Sequence, residues 1–402
     1  MMSGSIETLD LPRPIDADLA ADVEKQGAYV SPEIRRIRVR QGGAAVVLEL
    51  NAGADAAEAR AKATRFLESM TARHRKLSRK VLASRKRPAS HPPLTRNVHE
   101  ELTRRGWLFE LGRGQLGLAG PALSLIRVLD AECTRMGKER FLATEQSYPA
   151  LIPATVLARC GYFSSFPQSV SFVGHLVEDF DRIEHFRQAN LESKELTVPD
   201  RSAMTLEACL VPAVCYHAYQ TLEGAKLGET GAVITSAGKC FRYESSNFTG
   251  LERLWDFTMR EVIFIGTEAQ VLERRQSAID AVAEQLGRWD LEGAIETAND
   301  PFFPTTYSTK TYWQVRSDLK FELRLAVEPA EDGTPRTIAA GSFNSHENFF
   351  GNAFGITAAD EKPAFTACVG WGLERWVLAC FTQHGFDPAA WPEALRASVF
   401  SA

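Results

Sequence analysis

Apolar and polar positions recur along this chain in patterns that place most of its elements. RRIRVR (35–40) and AAVVLEL (44–50) read as two short strands joined at Gly42-Gly43, a hairpin signal. From Ala54 to about Arg87 apolar residues recur at helical spacing (Ala59, Ala63, Phe66, Leu67, Met70), until Pro88, Pro92 and Pro93 stop the pattern. Residues 94–120 predict a helix followed by a β-hairpin in WLFELGRGQLGLAG, and 121–137, PALSLIRVLDAECTRMG, an amphipathic helix opened by a favourable Pro. ERFLATE, ACLVPAVCY, AVITSAG, KCFRYE, EVIFIGT, KFELRLAV and TIAAGSF read as strands, with helices at 268–298 and in LERWVLACFTQHG. The stretch TACVGWGLERWVLAC (366–380) reads as a buried helix, yet each glycine costs about 1 kcal/mol against Ala there and an unpaired Arg has no place in a core. Something besides packing accounts for Gly370, Gly372 and the Glu374-Arg375 pair.

Neighbouring strands with few helical crossovers favour an antiparallel sheet. No GxGxxG or GxxxxGK(S/T) phosphate loop is present, which argues against Rossmann and P-loop nucleotide sites. The expected fold is α+β: a small α+β N-terminal module at 1–93, with a basic helix and a Pro-rich linker, then one large domain at 94–402. With 402 residues, 45% hydrophobic and 24% charged, the chain has a globular balance that excludes disordered and fibrous classes. The net charge of −5 gives no global reason to expect nucleic-acid binding. Between Thr71 and Arg105, however, eleven Lys or Arg stand against two Glu, which is either a solvated face running into a linker or a patch for an acidic partner, RNA or protein. No run of eighteen apolar residues appears and the N-terminus is acidic, so a cytoplasmic protein without a membrane partner is expected. The seven cysteines form no CxxC pair, and most should be buried thiols.

The segment KCFRYESSNFTGLERLWDFTMREVIFIG (239–266) carries chemistry. On a strand, Arg242 and Glu244 share one face and Phe241 and Tyr243 the other. Such a pair either faces a ligand or forms a salt bridge within the sheet. Glu261 opens the apolar run VIFIG and is there either paired with a cation or a ligand itself. FRYE, Gly250-Leu251-Glu252-Arg253, Phe257 and Glu261 together resemble the second signature motif of class II aminoacyl-tRNA synthetases of the seryl subclass. GWGLER (370–375) resembles the third motif, and the helix 121–137 running on to Pro149 a degenerate first. The resemblance covers roughly 120–390. It implies a class II synthetase-like antiparallel sheet flanked by helices, and a site for ATP with Mg²⁺. Arg242 would hold the α-phosphate, Glu244 the adenine amine, Phe257 would stack on adenine, and Gly370 and Gly372 would let backbone approach the nucleotide. Arg375 would lie over the adenine and reach the γ-phosphate, Arg242 and Arg375 being the catalytic pair, with Glu322 and Ser342 as further ATP contacts. The motif 1 surface would make a homodimer.

Where the familiar seryl enzymes carry Thr-x-Glu, this chain has a stretch ending in Cys215. Cys215, Glu261 and Cys368 match in position the Cys, Glu, Cys zinc set of archaeal-type seryl-tRNA synthetases. The resemblance thus implies one Zn²⁺ per chain, with a fourth tetrahedral position for the substrate amine. The plain reading of the same cysteines is two buried thiols. Cys133, Cys160, Cys209, Cys240 and Cys380 read as core. The short N-terminal module and short motif 2 loop speak against tRNA as acceptor. FNSHENFFGNAFGI and FTACVGWGLERWVLACFTQHG look more like the amino acid:carrier protein ligases, which pass glycine or alanine from an adenylate to a phosphopantetheine thiol. A zinc-binding ligase of that kind is the expected activity, with an acidic carrier protein as partner. Residues 71–105 and Arg274, Arg275 and Arg288 are candidates for docking it, and Trp255 for closing the amino-acid pocket. Two alternatives are a tRNA-charging enzyme and a silent homologue acting as a binding protein. The chain departs from the synthetase pattern at Ala339, where a Mg²⁺-holding Glu is expected.

Overall fold

A computed structural model describes residues 5–400 except 41, 73–79, 89, 192–194, 246–247, 301–309, 311–313 and 331–332. The N-terminal module pairs β1 (Ile6–Asp10), β3 (Ala45–Leu50) and β2 (Ile34–Val39) in an antiparallel sheet of that order. Two helices cover it, each started by an aspartate that accepts a backbone N–H. Asp16 caps Ala17–Gln26 and Asp55 caps Ala56–Thr71. The predicted hairpin turns at Gly43, whose φ is +72° and where a Cβ would lie 2.0 Å from the Ile15 carbonyl oxygen. The helix read from Ala54 to Arg87 ends at Thr71, and β4 (Val81–Arg85) follows as an edge strand of the large sheet. Residues 73–79, within the helix predicted to run on to Arg87, lie outside the described residues.

The predicted helix and hairpin after the prolines are Val98–Arg104 and the strands β5 (Leu108–Gly112) and β6 (Gln115–Leu118). The next helix, Gly120–Phe141, runs longer than predicted and absorbs the first three residues of ERFLATE, leaving β7 at Thr144–Glu145. A small sheet of order β8 (Leu151–Pro153), β10 (Met204–Leu210), β9 (Phe172–Leu176) stands beside the main one. The main sheet adds β11 (Ala232–Phe241), β12 (Asp256–Gly266), β13 (Gly293–Thr297), β14 (Lys320–Val327), β15 (Arg336–Ser345) and β16 (Phe365–Gly372). Its order is β4-β13-β14-β15-β16-β12-β11-β7, antiparallel except for β11 with β7. Two predicted helices change type. Residues 268–298 split into a helix, Glu268–Arg288, and β13, and 366–380 into β16 and the helix Leu373–His384. A continuous apolar run fits a strand buried on both faces as well as a helix, so periodicity could not separate them.

Alternation within these strands divides the two faces. Val262, Phe264, Leu323, Leu325, Ala367, Val369 and Trp371 point into a core shared with the helices 120–141, 268–288 and 373–384. The other face carries Glu261, Cys368, Gly370, Ser342 and Glu322. Arg260, on the core side, is 4% exposed and grips Asp130 of the first of those helices bidentately, at 2.7 and 3.0 Å. His384 closes the helix Leu373–His384, its Nε2 donating to the Trp289 carbonyl at 3.0 Å. Burial pushes its pKa from 6.5 down to about 4. The unfolded chain therefore takes up this proton first as pH falls. The neutral His contributes fully above about 6.5, and up to about 3 kcal/mol is lost between 6.5 and 4. Urea denaturation at pH 7 and 4.5 should show a smaller acid loss in His384→Gln than in the wild type; equal losses would mean that another group carries it.

Candidate active site

Register sets the polar face of the sheet. Glu261 on β12, Gly370 on β16, Ser342 on β15, Glu322 on β14 and Glu296 on β13 are successive cross-strand partners and form one row. Cys368, two residues before Gly370, lies on the same face opposite Asn344. Cys215 does not come from a strand. The strand predicted through it ends at Leu210, and Cys215 opens the helix Cys215–Thr221 that lies over this face.

Ligand atoms of Cys215, Glu261 and Cys368 lie within 4.8 Å of one another, and all three residues are buried. Glu261 Oε2 has no hydrogen-bond partner, a costly state for a buried carboxylate oxygen. Burial, then the neighbouring Cys368, pushes Glu261 well above the carboxylate range. Hydrogen bonding to Cys215, assisted by His346 and Asn344, holds Cys368 well below the thiol range, whereas the same bond and burial push Cys215 up. Asn344 Nδ2 donates to Cys368 Sγ at 3.5 Å, and His346 Nε2 is 3.9 Å from it. Two sulfurs and an unsatisfied carboxylate converging in a closed space fit a tetrahedral metal such as zinc. The other five cysteines are buried, Cys240 beside Val214 and Met259 and the rest within larger apolar clusters.

The second half of the site lies where β11 ends. The strand stops at Phe241, so Arg242 and Glu244 stand beyond the ladder and do not pair with each other. Arg242 Nε donates to the Pro212 carbonyl at 3.0 Å, and its guanidinium sits 5.4 Å from the Phe257 ring centre. Among the described residues no carboxylate lies at ion-pair distance from it. Glu244 instead faces Arg253 at 3.7 Å. Arg375 donates to the Glu252 and Ala339 carbonyls, both at 2.8 Å, and lies in electrostatic reach of Glu244, Arg253, Glu322 and Arg242. Burial lowers its pKa, yet a guanidinium stays charged. Nothing lies within 4 Å of a Cβ built on Gly372, so the strand end borders open space. Glu322 is 3.2 Å from Lys320 Nζ and 3.6 Å from Arg324, and these cations with Lys25 hold it below the carboxylate range against burial.

Sequence reasoning missed several partners. Glu374 is a latch, its buried carboxylate accepting Thr258 N at 2.8 and 2.9 Å and Thr258 Oγ1 at 2.8 Å, which ties the third motif to β12. Only its place beside Arg375 signalled it. His346 and Asn344 lie in the quoted run FNSHENFF but were assigned no role. Trp255 stands away from the cysteines, stacked near Phe248 and bonded to Ser171. The aromatic wall beside Cys368 is Tyr219 and Phe350, 4.2 Å apart, with His346. Of the proposed docking cations, Arg275 is buried and bonded to the Asp318 and Leu319 carbonyls, and Arg274 to Thr230. Lys80, Arg85, Lys86, Arg104 and Arg105 each pair with a carboxylate of this chain.

No family model matches the chain. It is 33% identical over 257 residues to amino acid–acyl-carrier-protein ligase 1 of Bradyrhizobium diazoefficiens, covering 62% of this chain and 74% of that protein. A type-2 serine–tRNA ligase of Methanopyrus kandleri is 27% identical over 317 residues, 74% of this chain and 59% of that protein. In fold, it is similar to M. kandleri SerRS solved with A. aeolicus tRNASec, with a TM-score of 0.69 at 22% identity over 98% of this chain and 77% of that one. Seryl-tRNA synthetase from Pyrococcus horikoshii, solved with ATP, gives 0.53 at 14% identity over 78% and 64%. No described helix is long and apolar enough to cross a membrane.

Proposed function

The chain belongs to the amino acid–acyl-carrier-protein ligase family, and from that premise we propose that it activates a small amino acid, glycine or alanine, with ATP and passes it to the phosphopantetheine thiol of an acidic carrier protein. The observation that carries the reading is Arg242, a half-buried guanidinium with no carboxylate at ion-pair distance among the described residues, which is a state that calls for an anionic ligand. The substrate carboxylate attacks the α-phosphorus of MgATP, and the bond to pyrophosphate breaks, the leaving group taking the electron pair. Arg242 neutralises the charge growing on the α-phosphoryl oxygens, Arg375 orients the far phosphates, and Phe257 and Glu244 seat the adenine. Glu322 and Ser342 face each other across β14 and β15 and are the residues that would contact the nucleotide's Mg²⁺, with Ala339 contributing only its carbonyl, to Arg375. The carrier thiol then attacks the carbonyl carbon and releases AMP. No protein nucleophile is required, because positioning and charge do the work.

Cys215, Glu261 and Cys368 are the residues that would hold zinc. Bound there, it would offer a fourth position to the substrate's amino group. The aromatic wall of Tyr219, His346 and Phe350 beside Cys368 would favour a small side chain in this reading. A homodimer built on the motif 1 helix, Gly120–Phe141, belongs to the same reading. So does an acceptor other than tRNA. The competing reading, tRNA charging, draws on the 98% of this chain that superposes on M. kandleri SerRS, the N-terminal module included. Salt-sensitive tRNA binding with aminoacylation would support it. The decisive experiment is ATP–pyrophosphate exchange across the twenty amino acids without tRNA or carrier. Exchange with glycine or alanine alone is expected, and none with any amino acid would sink the activation reading.

A further inference from the structure

The N-terminal module does not stand apart from the site. Its first helix and the turn after it rest on the segment that follows β11, with Tyr29 Oη donating to the Tyr243 carbonyl at 2.9 Å and Ser245 Oγ donating to the Ala28 carbonyl at 3.1 Å. Asn299 Nδ2 donates to Asp22 Oδ2 at 3.4 Å from the end of β13. Asp22, Lys25 and Tyr29 follow one another at helical spacing and share a face, so the two anchors bracket Lys25. Lys25 is half-buried, within electrostatic reach of Glu244 and Glu322, with Arg253 close by. Glu244 adjoins the adenine seat and Glu322 the phosphate end in the reading above. Burial lowers the Lys25 pKa, and the two carboxylates with Asp22 work to raise it.

We propose that Lys25 is a nucleotide-binding residue supplied by the N-terminal module, its ammonium engaging the phosphate chain of MgATP between Arg375 and Glu322. The proposal rests on the adenylation reading and extends the site to an element with a core of its own. A lysine suits the task, because a compact ammonium on a flexible stem follows phosphate oxygens as they move from ATP to pyrophosphate. Glu244 and Glu322, within electrostatic reach, favour the charged form of Lys25 before the nucleotide arrives. Docking of the module through Tyr29 and Ser245 also ties its position to the segment carrying Arg242 and Glu244.

The test compares wild type, Lys25→Met, Lys25→Arg and Tyr29→Phe in the full-length protein, by calorimetric MgATP binding and by amino-acid-dependent exchange. Lys25→Met should raise the MgATP Kd, and the KM for ATP, about ten- to hundredfold, as expected for one lost charge-assisted contact. The KM for the amino acid, the metal content and the melting temperature should stay near wild type. Lys25→Arg should recover most of the affinity, and Tyr29→Phe should lose part of it with Lys25 intact. An unchanged Kd in a folded Lys25→Met protein would overturn the proposal, as would equal losses in Lys25→Arg and Lys25→Met. Wild type that binds MgATP but exchanges with no amino acid would sink the adenylation reading and still leave Lys25 decided by the binding data.

Discussion

Arg242→Ala is expected to reduce ATP–pyrophosphate exchange by about a thousandfold, the upper range for removing one positioned group that meets developing charge. The chain should nevertheless fold. Arg242 gives one hydrogen bond to a carbonyl, at Pro212, and lies over Phe257, and neither contact joins it to a carboxylate whose loss of partner would unfold the sheet. Removing a part-buried charge that makes no ion pair among the described residues, though Asp300 acts on it through space, should leave the melting temperature within a few degrees of wild type. Lys at the same place would keep the charge but lose the planar fork, and should restore only a small part of the rate. An Arg242→Ala protein that exchanges at more than a tenth of the wild-type rate, or one that no longer folds, would remove Arg242 from the phosphate site.

Cys215→Ala and Cys368→Ala should each abolish stoichiometric zinc binding and lower exchange by about a hundredfold or more, since a metal that orients the substrate supplies several kcal/mol. The two thiols and Glu261 come from a helix start and two neighbouring strands, so either truncation leaves at most two donors at the site. Glu261→Gln should weaken zinc less, because the amide oxygen can still approach but brings no charge. Metal analysis of the purified variants decides the matter: wild-type zinc in both cysteine variants would return Cys215 and Cys368 to the class of buried thiols. Activity lost with zinc retained would separate a packing defect from a ligand defect.

The sequence by itself determined the elements with a strong period and the motifs whose order is unusual. The helix face at Ala59, Ala63, Phe66, Leu67 and Met70, the hairpin at Gly42-Gly43, and β14 with the bounds Lys320–Val327 all follow from local pattern and turn chemistry. Arg242, Glu261 and Arg375 were legible because a charge is wasteful in a plain core, and Cys215 and Cys368 only through the family resemblance. Tertiary structure alone decided the rest. TACVGWG became a strand because a central position in an eight-stranded sheet buries both its faces, something no window of sequence reports. Arg242 and Glu244 parted company because β11 ends at Phe241, and Glu244 found Arg253. Glu374 became a latch to Thr258, and Lys25 came to lie near Glu322, through contacts across more than a hundred residues of chain. Local propensity falls off within a few residues, whereas these pairings depend on sheet register and on how helices close over it, and that information exists only once the whole core has formed.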